Sequence, residues 1–300
     1  MSQQKTLQSG DDMRVYRKTA FLLILLLSLI FAACASNRLA MGYRFYMQGK
    51  YKEANRSFLV HLTREPERVE KALTYFYLGL VNADWGNREK AIDYYTNAID
   101  LEPTYFQAYF NRGLEYMLGH NFSKALLDVQ QANKIINTIP QNQSLTRLYD
   151  PKKLAFDKKI ILIYLAMLNM KNKNFFQADT ILNTLIKQEA EDKELYFFIA
   201  SIYLAKSPIQ DPAKALQLCK NVLETSHSHA SRRNILIYSN ALAANDKFSE
   251  AIEVLDKMPQ KSSSDASFKK EYQNKEFTST SFDIFFDNWL KQQQKRVYPR

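Results

Sequence analysis

The sequence predicts an all-α protein, a right-handed solenoid of about six helix-turn-helix repeats with a further helix at the C-terminal end. One observation is composition: 300 residues contain only 7 glycines and 8 prolines, and no long run alternates apolar with polar residues as a half-buried strand would. The other is self-similarity, because the segments around Gly79 and Gly113 align 34 residues apart, a period of helical repeats. Such repeats bury their apolar faces against their neighbours, so they stack.

The N-terminal segment has the features of an export signal. Residues 20–33 form an apolar run of fourteen residues in which Ser28 is the only polar one, whereas a helix that spans a bilayer needs about 20. Three basic residues precede the run and small residues follow it, which is typical of a secretory signal peptide. We therefore expect residues 1–33 to be a cleaved signal, with either Met1 or Met13 as the start.

The stretch "FAAC" at residues 31–34 resembles the lipobox of bacterial lipoproteins. The resemblance implies that Cys34 becomes the first residue of the mature chain and carries acyl groups, such as palmitate, that hold it on a membrane. Ala35 in the next place implies an outer-membrane lipoprotein that faces the periplasm. Phe31 departs from the usual leucine, and an ordinary signal with a chance cysteine is the alternative.

Cysteine content and charge agree with an exported protein. If Cys34 is lipidated, Cys219 is the only other cysteine, so no intramolecular disulfide is expected. Residues 1–33 contain four basic and two acidic residues, so the net charge of +10 becomes +8 without them. A basic balance suits anionic lipid, cell-wall polymer or an acidic partner, or is a diffuse surface without function, and export argues against nucleic acid.

The repeats resemble the tetratricopeptide repeat (TPR) family. The clearest copy has Tyr75, Leu78 and Gly79 on its first helix, Ala91, Tyr95 and Ala98 on its second, and Pro103 at its end. In the other copies the small residue of the first helix is Gly42, Gly113, Ala166, Ala200 or Ser239. We expect Gly79 and Ala91 where the two helices cross, because only small side chains let helix axes approach to about 8–10 Å.

One break in the repeat spacing indicates how the chain is divided. Gly113 and Ala166 are 53 residues apart, about 19 more than one repeat. The predicted parts are residues 34–139 as an N-terminal half of three repeats, 140–158 as an insertion, 159–262 as a C-terminal half of three repeats, 263–281 as a linker and 282–300 as an amphipathic helix.

The C-terminal helix is expected to dock on the solenoid. Phe282, Phe285, Phe286 and Trp289 have the spacing of one helix face, and such a face needs a surface to cover. The preferred surface is the exposed end of the sixth repeat, since solenoid ends need a cap. The alternative is the inner groove, where the helix would be an autoinhibitory stand-in for a partner.

No motif in the sequence indicates catalysis, and we expect no enzyme activity, cofactor or metal. The four histidines fit no metal-protease motif, and glycine-rich phosphate loops and Cys-x-x-Cys pairs are missing. "HSH" at 227–229 is a weak metal-binding alternative because it has no cysteine or carboxylate cluster nearby. Cys219 falls at a core place of its repeat.

The TPR resemblance implies a binding groove lined by the first helix of each repeat. Counting from the small residue of each first helix, the expected groove residues are Leu39, Tyr43, Tyr46, Phe76, Tyr77, Asp84, Phe110, Asn111, Met117, Ile163, Met167 and Phe197. The best-known groove of the family clamps a peptide carboxylate with lysine, arginine and asparagine, and here only Asn111 fits. The alternative is that several of these residues are core between repeats.

Together these features predict a membrane-anchored scaffold lipoprotein of the bacterial envelope that holds a partner protein by an apolar peptide or helix. The layout is similar to that of NlpI-type lipoproteins, which implies an adaptor for cell-wall hydrolases or an envelope protease. The alternatives are a pilotin-like assembly factor for a secretion or pilus system and a periplasmic module for apolar ligands. A homodimer is also left open.

Overall fold

The computed structural model describes residues 38–139, 150–188, 192–224, 231–257, 263–278, 280 and 282–297. These residues form fourteen helices and no strand. The helices are α1 (38–47), α2 (Tyr51–Leu62), α3 (Arg68–Asp84), α4 (Arg88–Leu101), α5 (Phe106–Leu118), α6 (Phe122–Thr138), α7 (Pro151–Lys171), α8 (Phe175–Gln188), α9 (Lys193–Leu204), α10 (Pro212–Glu224), α11 (Arg232–Ala243), α12 (Phe248–Asp256), α13 (Ser263–Gln273) and α14 (Phe282–Val297).

Several predicted features lie outside the described residues. They are the signal peptide at 1–33, the lipidation site Cys34, most of the insertion and the "HSH" at 227–229. Within the described residues, no helix is both long enough and apolar enough to cross a membrane.

The chain divides into two compact units, unit 1 (Met1–Glu115) and unit 2 (Tyr116–Arg300). The boundary falls within α5, while α7 begins at Pro151 and so includes the end of the predicted insertion. The division into two three-repeat halves stays a prediction.

Unit 1 is built from helical hairpins with very close crossings. A Cβ added to Gly42 would lie 2.6 Å from the Phe58 ring, and one added to Gly79 would lie 2.4 Å from the Tyr95 ring. Ala91 is fully buried on the facing helix. These distances give the physical reason for glycine at the crossing, because any side chain there would displace a buried aromatic ring.

Five of the six hairpins in the described residues have the same backbone geometry in their turn, and the longer connection between α9 and α10 is the exception. The helix ends in a residue with positive φ, and the next backbone N–H donates to the carbonyl five residues earlier, which satisfies the end of the helix. The donor and acceptor pairs are Lys50 and Phe45, Asn87 and Asn82, Asn121 and Tyr116, Asn174 and Asn169, and Lys247 and Leu242. In the first two turns the positive-φ residue is glycine, at Gly49 and Gly86, where it is least strained.

Unit 2 continues the hairpins and ends in two further helices. Helix α13 lies against the last hairpin, with Tyr272 buried beside Phe248 and its hydroxyl donating to Asn240 Oδ1 at 2.5 Å. Residues 263–273, for which the sequence predicts a linker, are therefore a helix that covers the last repeat. This covered end leaves α14 to pack elsewhere.

Candidate protein-binding surface

The structure brings the predicted groove residues of unit 1 together on the first helices of its hairpins. Leu39, Tyr43 and Tyr46 lie on α1, Phe76, Tyr77 and Asp84 on α3, and Phe110 and Asn111 on α5. We call these eight residues the unit 1 inner face. Adjacent hairpins meet there, since the Tyr43 and Tyr77 ring centroids lie 5.5 Å apart in an edge-on arrangement.

The aromatic side chains of this face pack on buried core residues. The Tyr77 ring stacks on the fully buried Phe58 ring at 5.5 Å, and burial raises the pKa of the Tyr77 hydroxyl. Phe76 is buried beside Tyr105, at 4.9 Å between centroids. Phe76 is thus a core residue beneath the face, which agrees with the alternative that some of the expected groove residues are core between repeats. Tyr77 is half-buried.

The outermost part of the face is apolar and accessible. Tyr43 is 43% exposed, and Met47, one helical turn further along α1, is 65% exposed. Sequence reasoning missed Met47, although its spacing from Tyr43 was a usable signal. Tyr43 and Met47 together present an aromatic ring and a flexible thioether to solvent, the side-chain types enriched at protein interfaces.

One carboxylate is set into this aromatic surface. The Tyr46 hydroxyl donates to Asp84 Oδ2 at 2.8 Å. Burial raises the pKa of the Asp84 carboxyl, and the hydrogen bond from Tyr46 opposes that shift. Burial and the nearby Asp84 charge raise the pKa of Tyr46 as well, so the hydroxyl remains the donor. No lysine or arginine forms an ion pair with Asp84 among the described residues.

The polar groups on α5 do not form a carboxylate clamp. The Asn111 side-chain amide donates to the Gln107 backbone carbonyl at 2.7 Å, so part of its donor capacity is used within the helix. Gln107 Oε1 is a buried acceptor without a hydrogen-bond partner in the described residues. A face that carries the Asp84 carboxylate suits a hydrogen-bond donor from the partner better than an anion.

The predicted groove residues of unit 2 lie mostly in its core. Met117, Met167 and Phe197 are at most 2% exposed and present no surface to a partner, whereas Ile163 is half-buried. Their expected exposure on an open groove is therefore corrected: these side chains pack within unit 2. Helices α7 and α9, which carry Met167 and Phe197, contact their hairpin partners, a neighbouring hairpin and α14, so more of their circumference is buried.

Helix α14 packs against α7 and α9, two of the first helices of unit 2. Its buried face consists of Phe282, Phe286, Trp289 and Leu290. The Trp289 ring lies 5.0 Å from Tyr164 of α7, and the Phe285 ring 6.2 Å from Phe198 of α9. Of the two surfaces considered from the sequence, α14 occupies the inner one, and α13 takes the end of the last repeat.

A partly exposed ion pair joins α7 to α14. Lys171, at the end of α7, is 16% exposed, and its Nζ lies 2.7 Å from Asp283 Oδ1 and 3.8 Å from Asp287 Oδ1. The same ammonium lies 5.2 Å from the Phe122 ring centroid and 5.1 Å from that of Phe286. Sequence reasoning missed Lys171, although it follows Ala166 by five residues as Asp84 follows Gly79.

The described residues give no positive sign of catalysis. No group of three or more histidine, cysteine, aspartate or glutamate side chains within them is placed to hold a metal ion. Cys219 is buried, which raises the pKa of its thiol to about 12, so the thiol stays protonated and unreactive near neutral pH.

Comparisons with known proteins give the following relatives. No family model matches the chain. Photosystem I assembly protein Ycf3 of Acaryochloris marina is 32% identical over 73 residues, which are 24% of this chain and 44% of that protein. DnaJ homolog subfamily C member 7 of Mus musculus is 30% identical over 105 residues, 35% of this chain and 21% of that protein. The chain thus spans less than half the length of these relatives.

Among solved structures, PilF of Pseudomonas aeruginosa has a TM-score of 0.55 at 12% identity, covering 81% of this chain and 97% of that one. At this identity the likeness shows the fold alone. Together with the helical hairpins and close glycine crossings described above, it confirms the all-α TPR solenoid that the sequence predicts.

Proposed function

We propose that this TPR solenoid is a lipoprotein scaffold of the bacterial cell envelope, anchored by an acylated Cys34, that holds partner proteins on the unit 1 inner face. The partner lays a peptide or a helix along the first helices of the hairpins. In this account the chain is an adaptor without an activity of its own.

The observation that carries the proposal is the accessible aromatic surface of unit 1. Tyr43 and Met47 are exposed, and Tyr43 packs edge-on against Tyr77, which is itself stacked on a buried ring. Rigid aromatic side chains at the centre of a surface contribute most of the binding energy in many interfaces, and they lose little conformational entropy on binding. The unit 1 inner face therefore has the properties of a protein-binding hot spot.

The anchor is supported by the sequence pattern around Cys34 and by the position of the first helix. Helix α1 is already formed at residue 38, which leaves room for little tether after Cys34. The start of unit 1 would then lie against the lipid headgroups. Exposed Arg44 and Lys52 would contribute about 1 kcal/mol each on an anionic surface.

The partner-binding part is tested by recovering partners from a solubilised envelope with the full chain and identifying them by mass spectrometry. We expect the double variant Tyr43→Ala, Met47→Ala to lose the specific partner. The matched control is Leu127→Ala, which removes a side chain that is 66% exposed on the second helix of its hairpin. Equal recovery by the double variant and the control would exclude the unit 1 inner face as the binding surface.

The identity of the partner separates the scaffold from its alternatives. A cell-wall hydrolase or an envelope protease supports the adaptor, a secretin supports a pilotin-like assembly factor, and no protein at all supports a module for apolar ligands. The anchor is tested separately with Cys34→Ser, which should release the protein from membranes or leave the precursor uncleaved. An unchanged mature size and membrane fraction would contradict lipidation.

A further inference from the structure

We propose that unit 1 binds an amphipathic helix of its partner that brings a lysine or arginine side chain to Asp84 and an apolar or aromatic side chain to Tyr43 and Tyr77. This inference rests on the proposed function and specifies the chemistry of the partner. It follows from the charge of Asp84 and from the way unit 2 satisfies the equivalent position.

Asp84 is a charge without a counter-ion in the part of the chain that the structure describes. It is the last residue of α3, and the last turn of that helix contains no basic residue. Its hydrogen-bond donor is the neutral hydroxyl of Tyr46, and no ion pair of Asp84 occurs among the described residues. The carbonyl groups at the C-terminal end of a helix add negative potential there. A cation placed beside Asp84 is therefore favoured by both the carboxylate and the end of the helix.

Unit 2 carries the same arrangement with the charge reversed. Tyr164 and Lys171 lie two residues before and five residues after Ala166, as Tyr77 and Asp84 do around Gly79. Helix α14 contacts both residues in unit 2. Its Trp289 packs against Tyr164, and its Asp283 and Asp287 form ion pairs with Lys171. The chain thus contains an example of the ligand that this pair of positions accepts.

The example also fixes the spacing of the ligand. On α14 the acidic Asp283 precedes Trp289 by six residues, and the two side chains reach positions seven residues apart on α7. Tyr77 and Asp84 are likewise seven residues apart on α3. The matching partner of unit 1 is a helix in which a lysine or arginine precedes an aromatic residue by about six positions. Tyr43, 43% exposed beside Tyr77, adds a ring against which the partner's aromatic residue packs.

Two synthetic peptides and the full chain test this inference. One peptide has the native sequence of residues 282–297, and the other carries Asp283→Lys and Asp287→Lys. Because the chain has a net charge of +10, non-specific attraction would favour the native, less basic peptide. A preference for the lysine peptide therefore reports a local acidic site. We expect the lysine peptide to bind about tenfold more tightly, as one charge-assisted contact allows.

Variants of unit 1 assign the preference to its site. Asp84→Asn should abolish the tenfold preference, while Asp100→Asn, an equal charge change at an exposed residue of α4, should retain it. Asp84→Lys should reverse the preference toward the native peptide. A preference that survives Asp84→Asn would overturn the inference.

The failure of this inference and the failure of the proposed function give different results. If both peptides bind equally, and Tyr43→Ala with Met47→Ala weakens both, the binding face stands and the cationic partner is wrong. If neither peptide responds to any unit 1 variant, both proposals are contradicted.

Discussion

The first helices of the two units carry side chains at equivalent positions, and in unit 2 these side chains are covered by α14. In unit 2, Tyr164 and Lys171 of α7 are covered by α14, which supplies an indole ring to one and carboxylates to the other. In unit 1, the equivalent Tyr77 packs beside the exposed Tyr43, and the donor to Asp84 among the described residues is the neutral hydroxyl of Tyr46. The chain thus satisfies this pair of positions from within in unit 2, and we propose that another molecule satisfies it in unit 1.

This difference explains why the two units are expected to respond differently to mutation. Where α14 covers the helices, we expect the aromatic residues to contribute to stability, so that a change there destabilises the unit. On the unit 1 inner face, we propose that the exposed residues contribute to binding, so that a change there leaves the fold intact. Each of the following experiments tests one side of that comparison.

The largest effect is expected from a chain truncated after Ser281. Removing α14 exposes the apolar groups that Phe286, Trp289 and Leu290 cover, and each buried side chain of this size contributes about 1.5–3 kcal/mol. The free energy of unfolding, measured with urea, should fall by several kcal/mol. A truncated chain with unchanged stability would mean that α14 is a displaceable plug rather than part of the unit 2 core.

Glycine at the hairpin crossing comes next. Gly79→Ala places a Cβ 2.4 Å from the Tyr95 ring, and overpacking of this kind costs about 1–3 kcal/mol. Unit 2 already has Ala166 at the equivalent position, and Ala166→Gly should cost about 1 kcal/mol through the lower helix propensity of glycine. Chemical denaturation of both variants checks this, and a tolerated Gly79→Ala would show that the crossing can widen.

The ion pair that holds α14 should have a smaller effect. Lys171→Met retains the apolar stem and removes the charge that meets Asp283 and Asp287, so we expect a loss of about 1 kcal/mol or less because both carboxylates are partly in water. Lys257→Met is the control, since its pair with Glu253 is exposed on both sides. Equal melting temperatures for the two variants would show that the Lys171 ion pair contributes no more to stability than the exposed pair of Lys257 and Glu253.

The smallest effect on stability is expected from Asp84→Asn. Unlike the variants above, which destabilise the protein, this one should stabilise it. The pKa of Asp84 is raised in the folded state mainly by burial, so the carboxylate favours folding less as pH rises through that pKa. Replacing it with a neutral amide should therefore raise the melting temperature slightly at neutral pH. The difference should vanish below the ordinary pKa of 3.8, where the wild-type group is protonated in both states. A destabilised variant at neutral pH would mean that the charge has a partner within the chain.

The repeat fold was predictable because its determinants are local. The spacing of Gly79 and Ala91 predicts a helix crossing with small side chains, and in the structure Gly79 lies against the Tyr95 ring and Ala91 is fully buried. Helix α13 was not predicted, because residues 260–281 are rich in serine and lysine and, among the side chains of this helix that the structure describes, Tyr272 is the buried one. Its packing on the last hairpin is a tertiary effect that overrides local propensity.

The candidate site was predictable in unit 1 and not in unit 2. Counting from the small residue selects one stripe of each first helix, and in unit 1 that stripe contains the exposed Tyr43 and the half-buried Asp84. In unit 2 the same count selects Met167 and Phe197, which are buried. The count cannot distinguish an open stripe from a covered one, because whether α14 packs there is decided by contacts more than 100 residues apart in the chain, such as Lys171 with Asp283.

Site-specific photo-crosslinking in living cells tests the central claim most directly. A photoreactive phenylalanine analogue is placed at Tyr43 on the unit 1 inner face and, as a control, at Phe176, which is 81% exposed on the second helix of a unit 2 hairpin. The account predicts that the analogue at position 43 crosslinks to a defined protein and the one at position 176 does not, and that Asp84→Asn reduces the yield at position 43. Equal or absent crosslinking at both positions would contradict the claim that unit 1 presents the binding face.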